Sequence, residues 1–193
     1  LEDTLWVGTA GGINKGTIDG DCINWTHLNS YQSGFFDDWV IGFESQTLSD
    51  GTERIWALTW DKESQGNIGV PSFSDNGGSD WYFPSQLVEL GVKALNISFD
   101  LDYIYLSTDQ GLYISNNGQF WEKFDTPVDY LGQHILSEVV YDAEVINNKL
   151  WVGTGDGAAI SDNTIDANWM IYRFWEDSYS LDVYPNPFML DNY

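Results

Sequence analysis

The sequence predicts an all-β chain made of four copies of one antiparallel unit, and three observations predict it. Four segments match one another: Leu5-Trp6-Val7-Gly8-Thr9, Ile55-Trp56-Ala57-Leu58-Thr59, Ile104-Tyr105-Leu106-Ser107-Thr108 and Leu150-Trp151-Val152-Gly153-Thr154. Their aromatic members, Trp6, Trp56, Tyr105 and Trp151, stand 46 to 50 positions apart. Between them the pattern has a period of two, broken by Gly, Asn and Asp turns, with almost no amphipathic helical periodicity.

Each unit reads as four short strands, A to D. Strand A is Trp39 to Phe43, Val92 to Ile97 and Val139 to Val145 in units two to four. No such segment precedes Leu5, so the first unit lacks its A strand. The matched segments are strand B, alternating aromatic or small residues with aliphatic ones as a strand buried on both faces does. A Gly-containing turn follows (Gly11-Gly12, Gly66 to Gly69, Gly111, Gly155 to Gly157), and strand C then runs to Asn14, Ser74, Ser115 or Ser161. A polar loop leads into the aromatic strand D: Trp25 to Leu28, Trp81 to Phe83, Trp121 to Phe124 and Trp169 to Tyr172.

A twisted four-stranded sheet with two apolar faces cannot bury both alone. Packing such sheets around an axis buries both and leaves only short edges, and repeats of this length are typical of propeller blades. A β-sandwich does not require four matched units. The expectation is therefore a β-propeller with blades at about 1–28, 38–84, 91–125 and 138–175. Propellers usually carry more than four blades, so these four are expected to be part of a seven- or eight-bladed ring. Ring closure by strand exchange with Tyr179 to Tyr184 is the alternative. Residues 176–193 read as an extended linker into a further domain, because Pro185 and Pro187 prevent regular strand or helix. The chain opens on Leu1 rather than Met and reads as a mature product or a piece of one.

Charge narrows the partners. Thirty acidic against seven basic side chains give a formal net charge of -23, which repels phosphate backbones and anionic headgroups. Nucleic acid and membrane adsorption are thereby disfavoured, and no apolar run reaches the roughly 18 residues of a membrane span. Cys22 is the single cysteine, so neither an intrachain disulfide nor a Cys-based metal centre can be assembled. Such acidity suits solubility in an extracellular medium. Calcium is the one cofactor the sequence suggests: Asp19-Gly20-Asp21 and Asp125 to Asp129 offer oxygen donors, but neither fits a defined loop pattern.

The polar loop before each D-strand Trp carries a family resemblance. Ser74-Asp75-Asn76-Gly77-Gly78-Ser79-Asp80-Trp81 resembles the Asp-box, Ser-x-Asp-x-Gly-x-Thr-Trp, with Asn76 at the Asp position and Asp80 at the Thr position. Ser115-Asn116-Asn117-Gly118-Gln119-Phe120-Trp121 is similar and one residue shorter, and Ser161 through Trp169 is a longer, degenerate version. The chain thus resembles Asp-box propellers over about residues 1–175. That group includes sialidases, sortilin-type receptors, some endoglucanases and photosystem assembly factors. The box implies a structural role for Ser74, Asn76, Gly77, Gly78, Trp81, Ser115, Asn117, Gly118, Trp121, Ser161 and Trp169, on hairpins away from the ligand face. Physically, Gly permits positive φ, the Asn caps backbone N–H groups and the Trp packs between sheets. Tyr184-Pro185-Asn186-Pro187-Phe188 resembles the opening of C-terminal Ig-like domains of secreted Bacteroidetes-type proteins, which serve type IX secretion or resemble the hook-cap module.

Catalytic signals are sparse. There is no Gly-rich phosphate loop opening a helix and no Gly-x-Ser-x-Gly elbow. His27 and His134 are the only histidines; His27 is expected half-buried on a D strand. Paired carboxylates remain: Asp37-Asp38, Asp100 with Asp102, and Asp156. The arginine trio of sialidases cannot come from a segment whose only arginines are Arg54 and Arg173.

Binding has clearer candidates. Two D–A loops are long and aromatic: Asn29 to Asp38 and Asp125 to Ser137. Tyr31, Phe35, Phe36, Asp37, Asp38, Tyr130 and His134 are the candidate ligand residues, since rings beside carboxylates suit sugar stacking or a protein partner. The alternative is that these rings fold back over their own loops. The expected function is a secreted or cell-surface binding or scaffold module for glycan or protein. A carbohydrate-active hydrolase or lyase and a purely architectural unit are the other readings.

Overall fold

The computed structural model describes residues 4–161 and 168–173. These residues form four antiparallel sheets that follow one another along the chain. Sheet 1 is β1 (Thr4–Thr9), β2 (Gly12–Asp19) and β3 (Cys22–Leu28). A single helical turn, α1 (Ser30–Ser33), leads to sheet 2: β4 (Trp39–Thr47), β5 (Glu53–Trp60) and β6 (Gly69–Ser74). A second short helix, α2 (Ser85–Leu90), leads to sheet 3: β7 (Ala94–Asp100), β8 (Tyr103–Thr108), β9 (Gly111–Ser115) and β10 (Glu122–Lys123). Sheet 4 is β11 (Val140–Ile146), β12 (Lys149–Thr154), β13 (Gly157–Ser161) and β14 (Trp169–Arg173). The chain is all-β, and the succession of sheets is consistent with a propeller-like arrangement. The expected linker at 176–193, the Tyr179 to Tyr184 closure and the Tyr184–Phe188 motif lie outside the described residues.

The A-to-D reading maps onto strand order within the sheets. Sheet 1 begins at β1, a B strand, and β1 forms its edge. In sheet 2 the D position is reduced to one bridge, where Phe73 and Tyr82 exchange backbone hydrogen bonds of 2.8 and 2.9 Å. Helix α2 was not legible: six residues, Ser85–Leu90, bury Leu87 and end at Gly91 in the left-handed region.

The B-strand pattern fixes how the sheets stack. On β5, Ile55 and Ala57 pack toward sheet 1 with Ile13, Val40 and Trp81. Trp56 and Leu58 point the other way, into a core shared with Ile97, Ile104 and Leu106 of sheet 3. On β8, Tyr105 continues forward into the core with Leu150, Val152 and Ala159 of sheet 4. Trp56 and Tyr105 therefore face the next sheet while their aliphatic flanks face the previous one, and Trp6 faces sheet 2 through Phe43 and Trp81. The outermost faces lack such a neighbour among the described residues: Leu5 and Val7 are 42% and 43% exposed, and Trp151 is 42% exposed.

The closing threonine of each B segment does one repeated job. Thr9, Thr59, Thr108 and Thr154 each donate their hydroxyl across the B–C connection, to the carbonyls of Gly12, Val70, Gly111 and Gly157 at 2.7–3.1 Å. Inter-sheet bonds add to the apolar contacts. Gln46 Nε2 reaches the Leu101 carbonyl of the β7–β8 turn at 2.9 Å, its side chain held within sheet 2 by Trp56 Nε1, which donates to Gln46 Oε1 at 3.0 Å. Trp60 Nε1 donates to the Ala94 carbonyl, and the Ser98 hydroxyl donates to the Ala143 carbonyl of sheet 4.

Candidate functional site

The two best-formed C–D turns are built alike. Ser74 Oγ accepts from the Gly78 N–H at 2.8 Å and donates to Asn76 Oδ1, which in turn accepts from the N–H groups of Ser79 and Asp80. Ser115 Oγ accepts from the Gly118 N–H at 2.9 Å, and Asn117 Oδ1 accepts from Gln119 and Phe120. Trp81 and Trp121 each donate Nε1 to the carbonyl of that glycine, Gly78 or Gly118, at 3.2 Å. Both glycines have positive φ and lie against the B-strand ring of the preceding sheet. A Cβ at Gly78 would stand 2.3 Å from Trp6, and one at Gly118 would stand 2.6 Å from Trp56. Gly77 has positive φ without such crowding. Ser161 Oγ accepts from the Leu150 N–H, and Trp169 is buried; the turn between them lies outside the described residues.

Asp75 adds a charged clasp to the first turn. Arg54 forks onto it, with Nε to Oδ1 at 2.6 Å and a second nitrogen to Oδ2 at 2.9 Å. The same guanidinium lies 4.2 Å from the Phe73 ring centroid.

The candidate ligand residues of the D–A loops divide. Phe35 is buried, 2% exposed, against Trp81, and Phe36 packs against Phe83 with ring centroids 5.5 Å apart. Phe35 is therefore withdrawn from the surface and Phe36 is half-buried beside it, because α1 folds the segment back onto sheet 2. Asp37 accepts from the Trp39 N–H, and Asp38 accepts from the Ser30 N–H at 2.6 Å with Lys62 4.0 Å away. Tyr31 and Tyr130 do stand out, 96% and 87% exposed, and His134 is exposed beside a bridge to Val128. Neither tyrosine contributes to the grooves around Phe120. His27, expected half-buried, is exposed and contacts Asn14 Oδ1 through Nδ1, because sheet 1 has no neighbour over that strand among the described residues.

Two of the other candidate carboxylates, Asp102 and Asp156, also serve the backbone. Asp102 accepts from the Ser49 N–H, and Ser49 holds its carboxyl below the ordinary range. Asp156 receives the N–H groups of Leu136 and Ser137, lies 3.2 Å from the Thr154 hydroxyl and forms an ion pair with Arg173 at 3.3 Å. Burial alone would raise this carboxyl, but those donors and the guanidinium together hold it below the usual carboxylate value. Among the described residues no group of three or more His, Cys, Asp or Glu side chains is arranged to hold a metal ion.

Sequence reasoning missed an aromatic surface on the C–D side. Among the described residues, a groove of about 520 Å³ is walled by Tyr103, Tyr105, Phe120, Phe124 and Trp169, with Asn116, Glu122, Lys123 and Asp125 among its polar groups. A second groove of about 460 Å³ runs over Trp81, Tyr82, Phe83, Ser85 and Gln119. Phe120 belongs to both and is 73% exposed, while Tyr82 and Tyr103 are 55% and 46% exposed. The signal was present in the box, since Asn117 ties down the Phe120 N–H and leaves the ring outside the turn. A third groove, about 420 Å³, is lined by A strands and holds Glu44, Asn96, Asp142 and Glu144. Partial burial first, then Asp142 and Glu44, raise the Glu144 carboxyl.

No family model matches this chain, and no curated protein matches it. Solved structures do. The chain resembles the extracellular domain of a protein assigned as a hybrid two-component system in B. thetaiotaomicron, with 93% of this chain covered, 16% identity and a TM-score of 0.51. The likeness is one of fold. A second extracellular-domain structure from that organism, assigned as a one-component system, aligns over 85% of this chain at 13% identity and a TM-score of 0.41. The chain spans 22% of the length of the first and 27% of the second.

Proposed function

We propose that this chain is a glycan-binding module within a secreted or cell-surface protein, an Asp-box-like propeller segment whose contact surface centres on Phe120. One observation carries the reading: Phe120 stands exposed between two open grooves, with Tyr82, Phe83 and Tyr103 spread to either side. Rings at a groove wall offer flat apolar faces to sugar C–H groups, and Glu122, Asp125, Asn116 and Gln119 offer partners to sugar hydroxyls. Asp37, Asp38, Asp102 and Asp156 each accept from backbone donors, which ties these four candidates to holding the fold. The extracellular setting draws support from the fold likeness and from the strongly acidic composition. A seven- or eight-bladed whole draws support from the apolar outer faces at Leu5, Val7 and Trp151.

The test is affinity electrophoresis through gels carrying neutral polysaccharides, followed by calorimetry on whichever retards the chain. Stacking on one ring contributes about 0.5–1.5 kcal/mol, so Phe120→Ala is expected to weaken binding about two- to tenfold. Circular dichroism should stay unchanged, since the ring is exposed. Turnover of the polysaccharide would favour the hydrolase or lyase reading. Failure to bind any of them would favour a protein partner or the architectural reading.

A further inference from the structure

The two best-formed C–D turns each contain an Asn-Gly pair, Asn76-Gly77 and Asn117-Gly118. In such a pair the glycine nitrogen can attack the side-chain amide carbon of the asparagine, because no Cβ blocks its approach. The electrophile is prepared alike in both turns. Asn76 Oδ1 accepts from the Ser74 hydroxyl and from the N–H groups of Ser79 and Asp80. Asn117 Oδ1 accepts from the Ser115 hydroxyl and from the N–H groups of Gln119 and Phe120. Such donors polarise the carbonyl and hold the negative charge that develops on its oxygen during attack. The nucleophiles differ. The Gly118 N–H is buried and donates to Ser115 Oγ at 2.9 Å, with Trp56 pressed against the residue. The first turn is one residue longer, and there Gly78 makes the equivalent bond, to Ser74 Oγ. Gly77 is the residue left over. It is only half-buried, and its N–H has no hydrogen-bond partner among the described residues.

We infer that Asn76 is a site of spontaneous deamidation and that Asn117, in the matching turn, is protected from it. The Gly77 nitrogen bonds to Asn76 Cγ, the Cγ–Nδ2 bond breaks, and ammonia leaves with the proton of the Gly77 amide. Water then opens the resulting succinimide at either carbonyl, giving an aspartate or an isoaspartate at position 76. Neither product keeps the turn as it is. Asn76 Nδ2 donates to Asp80 Oδ2 at 2.8 Å, so an acid at this position removes the donor and sets two carboxylates side by side. Isoaspartate also routes the chain through the former side chain, lengthening the backbone of a turn whose Gly78 seats on Trp6. Deamidation therefore adds negative charge and loosens the contact between sheets 1 and 2 as the molecule ages. The site is separate from the Phe120 surface and independent of the glycan reading.

The test is incubation of the folded 193-residue chain in mildly alkaline buffer, with peptide mass mapping of both turns over time. Asn76 should convert about tenfold faster than Asn117 or more, since Asn117 must wait for its turn to open. In urea, where both glycine amides are free, the two should convert at similar rates. Gly77→Ala should slow conversion at Asn76 about tenfold, because the added methyl hinders the attacking nitrogen. Asn76→Asp copies the charged product and should speed hydrogen exchange of the Gly78 amide several-fold. Adding Asp80→Thr to that chain should restore protection, because a threonine hydroxyl can donate to the new carboxylate. Four results would overturn the proposal: equal rates at the two sites in the folded chain, a difference that persists in urea, no effect of Gly77→Ala, or Gly78 exchange unmoved by Asn76→Asp.

Discussion

Gly118 lies flat against the indole of Trp56, so close that a methyl group would stand 2.6 Å from ring carbon Cη2. Gly78 repeats the relationship with Trp6, whereas the neighbouring Gly77 has positive φ and only the Lys15 ammonium beside it, 3.8 Å from where a Cβ would stand. The three positions separate backbone conformation from contact. Gly77→Ala should cost about 1 kcal/mol, the strain of a left-handed residue. Gly78→Ala and Gly118→Ala should add an overpacking penalty of about 1–3 kcal/mol to that strain. Urea denaturation of the three variants would check it, and equal losses at all three would show that contact with the indoles contributes nothing.

The B-strand threonines give a graded series. Thr59 and Thr108 are fully buried, so Thr59→Val or Thr108→Val leaves a carbonyl short of its donor at a cost of about 1 kcal/mol or more. Thr9 is only partly buried, and water can replace its hydroxyl, so Thr9→Val should cost less. Thermal melts of the three variants read the order directly.

Asp156 makes stability depend on acid. Its folded pKa lies below the unfolded value of about 4, so its contribution is fully present above that value and is lost as pH falls through the folded pKa. Asp156→Ala should lose about 1–3 kcal/mol at pH 7, by removing the acceptor for Leu136 and Ser137, and much less at the acid end. A loss independent of pH would mean that the charge does not matter.

Glu144 runs the other way. Its folded pKa is raised, so the stability it contributes is present below the unfolded value near 4.3 and is lost as pH rises through the folded one. Glu144→Gln should therefore stabilise the chain slightly at pH 7, by at most a few tenths of a kcal/mol given its solvent exposure, and leave it unchanged at pH 3. Parallel melts at the two pH values check the sign.

Much of the architecture was legible because side-chain alternation and stacking are the same fact seen twice. Trp6, Trp56, Tyr105 and Trp151 announce the repeat, and Ile55 or Ile104 beside them announce a strand with two buried faces. The Ser74 and Ser115 turns were legible from Ser, Asn and Gly at short, fixed offsets, since those bonds are local. What escaped depends on contacts distant in sequence. Phe35 reads as a loop ring but is buried against Trp81, 46 positions away, and Leu87 reads as loop but anchors α2 beneath the core shared by sheets 2 and 3. Phe120 stands inside a turn whose other members, Ser115, Asn117, Gly118 and Trp121, have structural roles, so its position does not announce a surface ring. Its exposure follows from which of its atoms Asn117 holds, not from its chemistry.

The forward-facing aromatic gives the stack a direction, and direction has a consequence for descent. Each sheet presents one kind of surface to its predecessor and another to its successor, so a unit copied or excised between two others meets the same partners on both sides. A gene of this kind can lengthen or shorten by whole units without reinventing any boundary. Change is then free to concentrate in the turns and connecting loops, where Phe120, Tyr31 and Tyr130 stand.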